Sequence, residues 1–190
     1  MDPNNLLAVD WSRLPVPHDD GSADHLLGLS LPNLALPATG GAVVNLAQLK
    51  GRNVLFIYPM TGQPGQPLPG GWDDIPGARG CTPQNCNFRD LYRELRGAGA
   101  KSVFGISTQD TEYQSQAATR LHLPFALLSD AGLKLAGALK LPVMEVDGKT
   151  LLMRMALVVD DATISKVFYP VFPPDRNAAD VLTWLKEHEA

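Results

Sequence analysis

Apolar positions along the chain come in short runs separated by Gly, Pro and charge, and their spacing predicts a series of elements. Val54, Leu55, Phe56, Ile57 and Tyr58 form an unbroken apolar run of the kind found in a strand covered on both faces. A central strand is expected there, preceded by another at 42–45. Phe88, Leu91, Tyr92 and Leu95 recur at i, i+3, i+4 and i+7, which predicts an amphipathic helix running to about residue 96 and stopped by Gly97. Thr82 or a neighbour is its expected N-cap. A strand at 103–107, a polar helix at about 110–121, a short strand at 125–128 and a helix near 131–139 follow. Strands at 156–159 and 164–168 flank the turn Asp160-Asp161-Ala162 and read as an antiparallel hairpin. A helix at about 177–188 closes the chain. Early βαβ units with a late hairpin and a C-terminal helix imply an α/β fold, a mixed β-sheet flanked by helices.

Two stretches break this pattern. The first 40 residues carry Pro15, Pro17, Pro32 and Pro37 and end at Gly40-Gly41, so residues 1–30 read as an extended lead-in packed on a single domain of residues 31–190. Between 61 and 80, Gly62, Pro64, Gly65, Pro67, Pro69, Gly70, Gly71, Pro76 and Gly77 leave no room for regular structure. Loops of this length inside compact domains are uncommon and are often functional, and this one leads straight to Cys81. It is expected to cover a site there or to make a subunit contact.

Composition narrows the function. At 190 residues and 45% hydrophobic, the chain fits one ordinary domain. A formal charge of -4, a pI of about 5.5 and no run of Lys or Arg give no electrostatic footprint for nucleic acid or an anionic membrane. No continuous apolar stretch reaches the roughly 18–20 residues of a membrane helix, and residues 1–10 lack a basic, apolar leader. A cytoplasmic protein with no cofactor is the expectation. The sequence leaves the oligomeric state open, a homodimer included. Two cysteines in 190 residues point to redox, catalytic or metal chemistry more than to a stapled scaffold.

Those cysteines stand five apart in Gly80-Cys81-Thr82-Pro83-Gln84-Asn85-Cys86, where the loop becomes the helix. At a helix N-terminus, unpaired N–H groups and the helix dipole favour a thiolate over a thiol. In regular helix the two Cα atoms would lie roughly 8.6 Å apart, beyond the about 7 Å limit for a disulfide, so bridging them requires the first turn to unwind. A structural disulfide and two unrelated buried cysteines are the blander readings. Zinc would need further ligands, and His18, His25, His122 and His188 are scattered. No local signature supports a Cys/His hydrolase.

The run Gly80-Cys81-Thr82, Cys86, Phe88-Arg89-Asp90 resembles the peroxiredoxins, and within them the Q subgroup, or bacterioferritin comigratory proteins. The resemblance extends over roughly residues 31–184. Its further landmarks are 46–51 with 54–59, Gly105-Ile106-Ser107, the segment Leu123-Pro124-Phe125-Ala126-Leu127-Leu128-Ser129-Asp130, and Arg154-Met155-Ala156-Leu157-Val158-Val159-Asp160. It implies a thioredoxin-like fold and a peroxidase in which Cys81 attacks a hydroperoxide, Cys86 resolves the sulfenic acid as a disulfide, and a thioredoxin-like donor resets the pair. It also implies that Arg154 serves the active site. The sequence departs from the family where Pro and a Thr or Ser usually stand seven and three residues before the nucleophile, since those positions are Asp74 and Ala78. Pro59 and Thr61 look like displaced remnants, with Thr61 expected to fold back towards Cys81. An alternative alignment makes Cys86 the nucleophile and places Thr82 four residues before it.

Arg79 is read either as added positive potential or as a solvated loop charge. Trp72, Phe88 and Tyr92 are candidates for the apolar wall of a peroxide pocket, with helix core as the plainer reading for the last two. Two further functions stay open. One is a non-peroxidatic thiol-disulfide oxidoreductase or redox sensor, against which the four residues between the cysteines argue, because such proteins typically hold Cys-x-x-Cys. The other is a binding module with an inert Cys81, suggested by Ala78.

Overall fold

A computed structural model describes residues 6–188. Its centre is a five-stranded mixed sheet in the order β5-β4-β3-β8-β9, built from β3 (Arg52–Ile57), β4 (Ser102–Ser107), β5 (Leu127–Ser129), β8 (Met155–Asp160) and β9 (Thr163–Phe168). The first three run parallel; β8 is antiparallel to β3 and β9 to β8. The apolar run at 54–58 thus occupies the middle strand, as its pattern predicts. Alternate residues of a strand face opposite sides. Val54, Phe56 and Tyr58 enter one core with Phe88 and Leu95, while Leu55 and Ile57 enter another with Leu135 and Leu139.

The first face is covered by α1 (Cys81–Asp90), α2 (Tyr92–Gly97) and α5 (Asn177–Glu187), and the second by α4 (Lys134–Leu139) together with Leu26, Leu31, Leu36 and Leu46. The helix α3 (Thr111–Arg120) packs along β5. Its Gln114 donates to Ser107 Oγ and the Leu128 carbonyl. Strand and helix positions match the expected ones to within a few residues, with three differences. The helix expected to run unbroken to residue 96 turns at Leu91, although no Gly or Pro marks the break. The helix near 131–139 starts only at Lys134, where the buried Asp130 carboxylate accepts from the Leu135 and Ala136 amides at 2.9 Å. Residues 72–74 form a short 3-10 helix inside the stretch expected to lack regular structure.

Two small hairpins were not anticipated as pairs, although the strand expected at 42–45 forms as β2 (Val43–Asn45). One pairs β1 (Ala35–Pro37) with β2, and the other pairs β6 (Val143–Val146) with β7 (Lys149–Leu152). The second turns on Asp147 and Gly148, both at positive φ, which is a strong short-range hairpin signal. The lead-in adds to the outer edge of β9: Ser30 bridges Thr163, and the amides of Gly28 and Leu31 donate to the carbonyls of Ile164 and Ala162. Among the described residues no helix is long and apolar enough to cross a membrane.

Candidate active site

The site forms where the loop 61–80 meets α1. Gly80 is the N-cap at φ +108°, a backbone region that an L side chain rarely adopts, and an added Cβ there would come within 2.7 Å of Trp11 and Pro174. Glycine is therefore required by both conformation and space. The expected cap, Thr82, lies instead inside the first turn and is buried. Helix α1 starts without a capping side chain, so the amides of Cys81 and Thr82, ahead of Pro83, are not satisfied by a cap.

Cys81 is buried, and its sulfur receives a hydrogen bond from Arg154 Nη2 at 3.1 Å. Arg154, ahead of β8 and only 3% exposed, also donates to the carbonyls of Gly77 (3.2 Å), Ala78 (2.9 Å) and Arg79 (3.3 Å) and to Gln84 Oε1. One guanidinium therefore fastens the end of the loop, the first turn of the helix and the thiol together. Gln84 in turn donates to Asn177 Oδ1 at 2.8 Å, and Asn87 Oδ1 accepts from the Ala178 amide at 2.8 Å, which locks α1 to the start of α5. Gln84 and Asn177 are fully buried. Sequence reasoning passed over both; the signal for Gln84 was its place three residues after Cys81, on the same helix face, while Asn177 had none.

Cys86 lies in the same unbroken helix and is free, as is Cys81. Five residues of regular helix turn it about 140° away from Cys81. Burial pushes its thiol pKa up, with nearby Arg89 opposing the shift. The structure thus brings Arg154 to Cys81 and keeps Cys86 apart from both.

The other candidates separate clearly. Trp72 walls the cavity at Cys81 together with Leu6, Met60 and Leu68; the cavity is about 10 Å³, the room of one water. Phe88 is core instead, stacked on Phe56 with centroids 4.2 Å apart, and Tyr92 packs against Phe125. Arg79 is not solvated: it is buried and paired with Asp73 at 3.0 Å, so its charge is balanced locally. The Thr61 hydroxyl does not turn to Cys81. It donates to Gln109 Oε1, and Gln109 Nε2 and the Tyr113 hydroxyl both donate to the Thr61 carbonyl, which fixes this part of the loop to Gln109 and to the first turn of α3. Tyr58 is fully buried beside the site, and burial pushes its phenol upward so that it stays protonated. Ala78, at the position of the absent hydroxyl, is completely buried and offers its carbonyl to Arg154. No group of residues suited to a metal ion occurs among the described residues.

A buried thiol at the N-terminus of a helix, held by a guanidinium beside a mixed central sheet, defines a thiol redox site on a thioredoxin-like fold. The redoxin family model matches residues 26–182. Peroxiredoxin Bcp of Escherichia coli is 34% identical over 165 residues, covering 83% of this chain and 93% of its own. Peroxiredoxin Q of Oryza sativa subsp. japonica, a chloroplastic protein, is 32% identical over 161 residues, covering 84% of this chain and 66% of its own. The chain thus spans just under two thirds of the length of that plant relative. Among solved structures, peroxidoxin BcpB from Mycobacterium tuberculosis superimposes with a TM-score of 0.69 at 28% identity, covering 86% of this chain and 98% of that one. The chain belongs to the redoxin family and, within it, to the peroxiredoxins of the Q and Bcp kind.

Proposed function

We propose that this chain is a thiol-dependent peroxidase that reduces hydrogen peroxide and organic hydroperoxides through Cys81. The observation that carries the reading is the Arg154 Nη2 to Cys81 Sγ contact of 3.1 Å at the start of α1, since the same guanidinium is in place to hold a thiolate and then the oxygen that departs. It also favours Cys81 over Cys86 as nucleophile.

The Cys81 thiolate attacks the terminal oxygen of ROOH. An S–O bond forms, the O–O bond breaks, and the remaining oxygen leaves as an alkoxide or hydroxide that takes up a proton. Arg154 and the first-turn amides donate where that negative charge grows, which is where preorganised donors lower a barrier most. Cys81 is left as a sulfenic acid. Cys86 then attacks its sulfur, water departs, and a Cys81–Cys86 disulfide forms before further oxidation to the irreversible sulfinic acid. Because both residues lie in α1, this step requires the helix's first turns to open. A thioredoxin-like dithiol donor resets the pair by exchange, in a reducing compartment such as the cytoplasm.

A peroxide-consumption assay coupled to thioredoxin and its reductase tests the proposal. Wild type should turn over hydrogen peroxide, Cys81→Ser should not, and Cys86→Ser should lose turnover with thioredoxin while still consuming one equivalent. Wild type that consumes no peroxide above the uncatalysed rate refutes it.

A further inference from the structure

The lead-in crosses the site. From the outer edge of β9, where Ser30 bridges Thr163 and the Tyr169 hydroxyl donates to Asp20 at 3.1 Å, it runs back over the end of the 61–80 loop. Pro17 is buried, and an added Cβ on Gly77 would lie 3.7 Å from it. Trp11 opens a 3-10 turn (Trp11–Arg13) whose N-cap, Asp10, accepts from the Ser12 amide. The six-membered ring of Trp11 lies on Gly80, the N-cap of α1, beside Pro174. Its indole N–H donates to Asp175 Oδ2 at 2.8 Å, and the ring meets Phe172 edge-on with centroids 6.2 Å apart. Trp11 lies ahead of the residues 26–182 that the family model matches.

We infer that Trp11 is a positioning residue for the disulfide step: by clamping Gly80 to the segment 172–175, it sets the rate at which the first turn of α1 opens and Cys81 reaches Cys86. The inference rests on the peroxidase reading and adds to it a residue of the lead-in. In regular helix two Cα atoms five residues apart stand roughly 8.6 Å from each other, more than the about 7 Å a disulfide allows. The far half of α1 is fastened, since Asn87 Oδ1 accepts from the Ala178 amide and Arg89 donates to the Leu121 carbonyl. The near turn is therefore the part that gives, and it swings on Gly80. Because the indole lies on Gly80, that motion breaks the ring's contact first. Arg154 holds the same turn from within the site, and Trp11 holds it from the lead-in. The chemistry is unchanged: the Cys86 sulfur attacks the sulfenic sulfur of Cys81, the S–S bond forms as the S–O bond breaks, and the oxygen leaves as water with the proton that the Cys86 thiol gives up.

The test is the first-order rate constant of disulfide formation, read by acid quench, alkylation and intact mass after hydrogen peroxide has converted Cys81 to the sulfenic acid. This constant does not depend on peroxide concentration, which separates it from the first oxidation. Trp11→Ala should raise it about tenfold, the factor that goes with removing roughly one ring contact and one hydrogen bond from the closed state. Asp175→Ala, which releases the indole N–H and leaves the ring, should raise it about threefold. Trp11→Phe should fall between wild type and Trp11→Ala. Leu135→Ala weakens the core on the other face of the sheet and should leave the constant at the wild-type value. A constant unchanged in both Trp11→Ala and Asp175→Ala, or raised as much in Leu135→Ala as in Trp11→Ala, overturns the clamp. Wild type that forms no disulfide refutes the two-cysteine reading itself, and is thereby told apart from failure of the clamp alone, in which the wild-type disulfide still forms.

Discussion

Arg154 shows why a single side chain dominates this site. It is buried, it meets three loop carbonyls, Gln84 and the Cys81 sulfur, whereas the neighbouring Arg79 is paired with Asp73. Arg154→Gln should lower kcat/KM for hydrogen peroxide by about 10²–10³-fold, the usual cost of removing one preorganised donor from developing charge. Asn177→Ala removes the acceptor that orients Gln84. It should cost about 1–3 kcal/mol of unfolding free energy in urea together with a smaller loss of rate than Arg154→Gln. Equal losses of rate in the two variants would contradict this order. The meeting of Arg154 with Cys81 was legible because both lie in short segments that carry the family resemblance. Gln84 and Asn177 were not, because a buried amide pair 93 positions apart leaves no local trace. The Thr61 hydroxyl was misplaced for the same reason: its partner Gln109 comes from a distant part of the chain.

Helix α1 holds both cysteines. Its regular form keeps Cys86 buried and away from Cys81, with burial holding the Cys86 thiol above the ordinary range. A raised thiol pKa means less thiolate at any given pH, so in Cys81→Ser, alkylation of Cys86 by iodoacetamide should lag that of free cysteine at neutral pH. It should rise only at pH above the ordinary thiol range. Alkylation as fast as free cysteine at pH 7 would show that the helix is already open. The helix was foreseen from the spacing of Phe88, Leu91, Tyr92 and Leu95, which records burial, but the turn at Leu91 was not, because the apolar period continues across it. The β6–β7 hairpin was readable from Asp147-Gly148. It was missed because strands of four residues with a mixed burial pattern barely register as alternation.

At the scale of the whole molecule, the sheet is a rigid frame whose close packing fixes where α1 and β8 meet. Gly105 in β4 marks how tight it is: an added Cβ would lie 2.6 Å from Leu127 and 2.7 Å from Phe56, the ring on which Phe88 of α1 stacks. Gly105→Ala should therefore destabilise the protein by about 1–3 kcal/mol, read as a lower urea midpoint with an unchanged slope. The mixed sheet and its central strand followed from the apolar run at 54–58 because β3 is buried on both faces, while the order of the remaining strands had no such signal. The closure of the site by the lead-in had none either, since Leu6 beside Met60 and Trp11 against Gly80 are contacts across long stretches of chain. The central claim is that peroxide oxidises Cys81 and Cys86 completes a disulfide. The most direct measurement adds hydrogen peroxide to the prereduced protein and follows thiol loss by stopped flow and intact mass in wild type, Cys81→Ser and Cys86→Ser. Rapid loss of two thiols is expected in wild type, none in Cys81→Ser, and a sulfenic acid on Cys81 in Cys86→Ser. Wild type reacting no faster than a free thiol, or Cys81→Ser reacting as wild type does, would contradict it.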